Sequence, residues 1–214
     1  MATARPRRRR SAGESRTRIL EAAQQRLTEK GPEGLRLQEI AADVGLSHPA
    51  ILHHFGSREG LLRELAAYGA RRLNEEVVER IRAEEVDVRA ILDLTAETLA
   101  SRGQARLVAW LALSGRGQAG AGPPVLRELA RVAQATREAH RAHGAEPPPF
   151  EDTLFSILLV SLALFGDALV GDLFRASAGL EGLEAAGRFR AWLADLVEGH
   201  LARGEEPTAH AGDS

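Results

Sequence analysis

Between Leu37 and Phe55 the chain reads LQEIAADVGLSHPAILHHF, two short segments of helical apolar spacing joined by a Gly-Leu-Ser corner. Ile40, Ala41 and Val44 make one inward stripe, and Ile51, Leu52 and Phe55 make the other. Gly45 stands where the first segment must stop, because glycine enters the left-handed conformation that reverses a chain at little cost. Ser47 supplies an oxygen able to cap a second helix, and Pro49 falls in that helix's first turn, where a missing N–H is harmless. The spacing therefore predicts a helix-turn-helix, whose second helix turns its outer face to a major groove. Double-stranded DNA is the partner this implies.

At 100° per residue, Pro49, Ala50 and His53 point outward on that second helix, with His54 on the margin and His48 at its start. Arg, Lys, Asn and Gln, the side chains that make bidentate base contacts, are absent from this face. His53 can donate one hydrogen bond, and Pro49 and Ala50 can touch thymine methyls. Phosphate contacts and DNA shape are expected to supply much of the binding. The plainer alternative is that these histidines are ordinary surface residues of a small helical domain.

The flanking residues extend the pattern. TRILEAAQQRLTEKG, from Thr17 to Gly31, is an amphipathic helix with Ile19, Leu20, Ala23 and Leu27 on one face. After Phe55, GSREGLL is a tight turn into another helix. Taken in order, TRILEAA, EKG, IAADVGLSHPAILHHF and SREGLL resemble the amino-terminal domain of the TetR family of bacterial transcription regulators, over Arg16 to about Leu62. The resemblance implies DNA contacts from Arg36, Gln38, Ser47, His48, Pro49, Ala50, His53, His54 and Arg58. His48-Pro49-Ala50 departs from the family's usual Lys-Gly-Thr opening. Leu52-His53-His54-Phe55 replaces the usual Tyr-Tyr-His-Phe, so the first phosphate-binding phenol is missing. Arg36 can stand in for a hydroxyl contact, and Arg58 matches a family Lys that reaches phosphate.

The net charge of −2 conceals an asymmetry: residues 1–60 carry net +4 and the remainder net −6. A basic head on an acidic body suits a protein that touches nucleic acid at one end. Four parts are expected: a flexible basic arm over 1–15, the helix-turn-helix domain over 16–62, a helical ligand-binding and dimerisation domain over 63–204, and a flexible tail over 205–214. The arm, with Arg5 and Arg7 to Arg10, either follows phosphates or an adjacent minor groove, or adds only nonspecific affinity. The absence of cysteine excludes disulfides and thiolate metal sites. With no apolar signal core after Met1, the expected location is cytoplasmic.

The body reads as helices over Arg58–Arg82, Asp87–Ser101, Gln104–Leu113, Val125–His143, Asp152–Arg175 and Leu180–Arg203, broken by Gly- and Pro-rich joints. No stretch alternates like a hairpin strand, so the fold class is all-α. Leu154 to Val170 is apolar nearly all round and must be buried on several sides. At that length it is too short for a membrane span, and none is expected. The final helix carries a stripe of Phe189, Trp192, Leu193, Leu196, Val197 and Leu201. These two helices form either an ordinary monomer core or, as the resemblance implies, a twofold four-helix interface. Leu158, Leu162, Phe165, Leu169, Phe189, Trp192 and Leu196 are its candidates, and a homodimer would match a palindromic operator.

The resemblance also implies a ligand pocket among the middle helices, with Gln104, Arg106, Trp110, His140 and Phe155 as candidates. The scarcity of aromatic residues points to an aliphatic pocket or to none. Gly115 to Gly120 matches a dinucleotide GxGxxG, but Pro123-Pro124 follow where a helix must open, so a loop is expected. His140 and His143 share a helix face without a third ligand, so no metal site is expected. The chain is thus expected to be a non-enzymatic regulator without cofactor: a homodimeric repressor released from its operator by an unidentified small molecule, or else a DNA-binding regulator or architectural factor with no effector.

Overall fold

A computed structural model of the chain describes residues 12–83, 87–115, 125–139, 148–180, 182 and 184–203. Among them every regular element is helical: α1 (Ala12–Lys30), α2 (Leu37–Val44), α3 (His48–Phe55), α4 (Arg58–Arg82), α5 (Val88–Ala96), α6 (Gln104–Leu113), α7 (Val125–Ala139), α8 (Phe150–Ser177) and α9 (Ala185–Arg203). A π-helical turn, Glu97–Ser101, carries α5 toward α6. The all-α expectation is met among the described residues.

Among the described residues, two apolar cores organise the fold. The first gathers Ile19, Leu20, Ala23 and Leu27 of α1 with Ile40 and Val44 of α2, Ile51 and Phe55 of α3, and Leu61, Leu62 and Leu65 of α4. Leu107 and Leu111 of α6 complete it from the body. Each such side chain contributes about 1.5–3 kcal/mol on burial, so three short helices hold together only by sharing this core. The second core joins Leu92, Leu164, Leu193, Ala194 and Val197. Helix α4 runs uninterrupted from the first core to Val77, Val78 and Ile81, which are buried in the body, so the boundary expected after Leu62 falls inside a continuous helix.

Several bounds differ from expectation. Helix α1 starts at Ala12, making residues 12–15 its first turn rather than part of the arm; Glu14 there complements the helix dipole. Residues 1–11 and 204–214, with most of the arm and the tail, lie outside the described residues, as do His140, His143 and all of the GxGxxG after Gly115.

Helix α8 has 28 residues, several more than expected, and its most apolar 18-residue window has a mean hydropathy of 2.2. By length and composition alone the whole helix is long and apolar enough to cross a membrane, beyond the 17-residue apolar run over 154–170 on which the expectation rests. Only 17% of that window is buried within the chain. One side packs on α5, α6, α7 and α9, while Asp167 pairs with Arg175 in its carboxy-terminal half.

Candidate nucleic-acid interface

The corner between α2 and α3 is built by backbone chemistry. Gly45 takes φ 68°, its N–H reaching the Ala42 carbonyl at 3.2 Å, and the Leu46 N–H reaches the Ala41 carbonyl at 2.9 Å. This double closure satisfies carbonyls that the end of α2 would otherwise leave open. Ser47 then turns extended and its Oγ accepts from the Ala50 N–H at 3.3 Å, with Pro49 in the first turn of α3. Ile51 and Phe55 are buried and Leu52 is half-buried. Pro49 and His53 are left exposed, and His48, Ala50 and His54 half-exposed, on the outer side of α3.

Ion pairs fix the scaffold beneath. Arg26 of α1 reaches Asp43 at 2.5 Å and also bonds Glu39, to which Lys30 adds a contact at 3.2 Å. The Arg26 hydrogen bond holds the Asp43 carboxyl below its usual range, and the Lys30 hydrogen bond does the same for Glu39. Arg16 donates to the His54 carbonyl at 2.8 Å, lies 4.7 Å over the Phe55 ring, and pairs with Glu64 at 3.0 Å. It pins the end of α3 between α1 and α4. Nothing local in the sequence marks this role, since Arg16 and His54 meet only through the tertiary fold.

The structure distributes the sequence candidates unevenly. Arg36 and Gln38 are exposed at the start of α2, where Arg36 occupies the N-cap position with no side-chain cap. Arg58 instead points inward: its Nε donates to the Leu35 carbonyl at 2.9 Å, an Nη to the Pro32 carbonyl at 2.6 Å, and its guanidinium lies 5.3 Å over Trp110. That geometry braces the α1–α2 turn against α4 and α6.

An apolar cavity of about 280 Å³ lies between α4, α5, α7, α8 and α9. None of the four described pocket candidates lines it, and the fifth, His140, lies outside the described residues. Gln104 is buried against Gln24, Arg106 is exposed, Trp110 packs beneath Arg58, and Phe155 is 57% exposed on the outer side of α8. Leu73, Asn74 and Val77 bring the inner stripe of α4 to the cavity wall. Of the interface candidates, Leu162 is 62% and Trp192 59% exposed; Leu158, Leu169 and Leu196 are also exposed, while Phe165 and Phe189 are half-buried.

Residues 19–65, spanning α1 through the first turns of α4, match the family model of bacterial regulatory proteins of the tetR family. Over these residues the chain is similar to the DNA-binding domain of that family. The chain is 42% identical over 65 residues to the HTH-type transcriptional repressor AcnR of Corynebacterium glutamicum. That alignment covers 30% of the chain and spans only 35% of the relative's own length. Solved structures share the fold more broadly. One, concerned with control of antibiotic production by bacterial hormones, is 24% identical, with 86% of this chain and 97% of that one covered and a TM-score of 0.61. Another, a TetR variant from Acinetobacter baumannii in complex with minocycline, is 22% identical, with 88% and 96% covered and a TM-score of 0.56.

Proposed function

We propose that this chain is a homodimeric transcriptional repressor that binds a palindromic operator through α2 and α3 and leaves it when a small molecule enters the body. The observation that carries this reading is the continuity of α4. Its first residue is bracketed to the head by two backbone carbonyls, and its middle forms a wall of the apolar cavity. A ligand that moves this wall moves the head, and a coupling of about 1–3 kcal/mol is enough for substantial release. The exposed apolar band on α8 and α9 supports pairing with a second copy, which would set two heads at half-site spacing.

The same reading assigns roles on DNA. His53, Pro49 and Ala50 offer sparse base contact, while Arg36, Gln38 and the open N–H groups at the start of α2 suit a phosphate. The test is binding of purified protein to DNA from immediately upstream of its own gene, with scrambled competitor and a salt series. Binding that resists competitor and weakens steeply with salt supports a specific regulator; binding abolished by competitor contradicts an operator at that position.

A further inference from the structure

Resting on the reading that the apolar cavity receives the effector, we propose that its ligand is a small, uncharged, mainly aliphatic molecule carrying one hydroxyl, which donates to Asn74 Oδ1. The volume of about 280 Å³ sits at the bottom of the usual range for small-molecule sites. Among the described residues its lining holds leucine, isoleucine, valine and alanine, with a few hydroxyls, Asn74 and Arg137, and no aromatic ring on which a planar ligand could stack.

The polar groups of the lining are accounted for one by one. Thr95, Thr136, Ser156 and Ser161 each donate to the carbonyl four residues earlier on their own helix, at 2.8, 3.3, 3.0 and 2.8 Å. Thr153 donates to Gln134 Oε1 at 2.5 Å. The charged residue of the lining, Arg137, is matched by Asp152 at 2.9 Å and also donates to Thr153 at 2.6 Å. Asp152 in turn contacts His200 at 2.8 Å. An anionic ligand would have to displace Asp152, and a cationic one would meet a cation already paired; both would leave a desolvated charge.

Asn74 is the exception. It lines the cavity, and its Oδ1 is buried without a hydrogen-bond partner among the described residues. A buried acceptor left open keeps the cost of its lost hydration, and a ligand donor removes that cost. The cavity therefore asks for one donor on an otherwise apolar body.

The test uses the full chain and four probes of matched length: nonan-1-ol, its isomer 1-methoxyoctane, nonanoate and nonylammonium. Calorimetry without DNA is expected to show saturable binding of the alcohol, about tenfold tighter than the ether and more than tenfold tighter than either ion. In Asn74→Leu the alcohol and ether should bind alike. Equal binding of the isomers to the unaltered chain, a preferred ion, or no binding of the alcohol up to its solubility limit overturns the proposal. Release of bound DNA is measured separately. Ranked binding that leaves DNA in place sustains the ligand class and defeats the release mechanism; release without the ranking does the reverse.

Discussion

The side-chain amide of Gln104 donates to Gln24 Oε1 at 2.6 Å, and the Gln24 amide donates onward to the Arg102 carbonyl at 2.8 Å. This pair ties α1 of the head to the start of α6 in the body. It lies directly over Gly69 of α4, where an added Cβ would come within 2.3 Å of Gln104 Nε2. Three elements thus meet where only glycine leaves room for the amide. Gln104→Leu should cost about 1–2 kcal/mol, because Gln24 keeps its part-buried position and loses an acceptor's partner. Urea unfolding of the variant checks this, and a change below about 0.3 kcal/mol contradicts the linkage.

Arg58 and Arg36 should separate cleanly on DNA. Arg58 braces two carbonyls and Trp110, so Arg58→Ala should lower stability and leave the salt dependence of binding nearly unchanged. Arg36 is exposed beside the uncapped start of α2. Arg36→Ala should reduce the slope of log affinity against log salt by about one, with little effect on stability. Anisotropy titrations over a salt series read both, and exchanged behaviour of the two variants would refute the assignment.

Ser47 tests the corner itself. Its Oγ is the side-chain acceptor for the first turn of α3, so Ser47→Ala should cost about 1 kcal/mol and Ser47→Gly only a few tenths. No measurable loss for Ser47→Ala in thermal unfolding would mean that the cap contributes nothing.

What was legible in the sequence was local. Gly45, Ser47 and Pro49 act on backbone within a few residues, and the Ile40, Val44, Ile51 and Phe55 stripes follow helical period, so the corner and its buried face could be read directly. Arg58 was legible as a cation but not as a brace, because Pro32, Leu35 and Trp110 reach it only through folding. The lining of the cavity was not legible for the same reason: it is defined by where five helices leave space, and Asn74 has no local pattern to distinguish it from a surface amide. Polarity and aromaticity drew attention to Arg106, Trp110 and Phe155, which the fold turns elsewhere. Helix α8 extends two residues beyond each expected end, Asp152 and Arg175, where the sequence carries no local stop signal.

Asp152 should make the body acid-sensitive. Burial alone would raise its carboxyl, but hydrogen bonds from His200 and Arg137 outweigh this and hold it below its usual value near 3.8. A lowered folded value means that its contribution is present above the usual value and lost as pH falls through the lowered one. Asp152→Asn should therefore be less stable than the unaltered chain at neutral pH, with the gap closing below about pH 4. Thermal unfolding between pH 7 and pH 3 reads this; a gap that stays constant would sink the prediction.

The exposed band on α8 and α9 allows a direct test of pairing. Leu162 and Trp192 are more than half exposed in the single chain, so a charge at either position should not disturb the fold of a monomer. Within a twofold interface the same charge would be desolvated against its own copy, which costs several kcal/mol. Leu162→Glu should sediment as a monomer with unchanged helical content, and should lose cooperative binding to a palindromic site while retaining weak binding to one half-site. A variant that still sediments as a dimer would place the contact on another face of the chain.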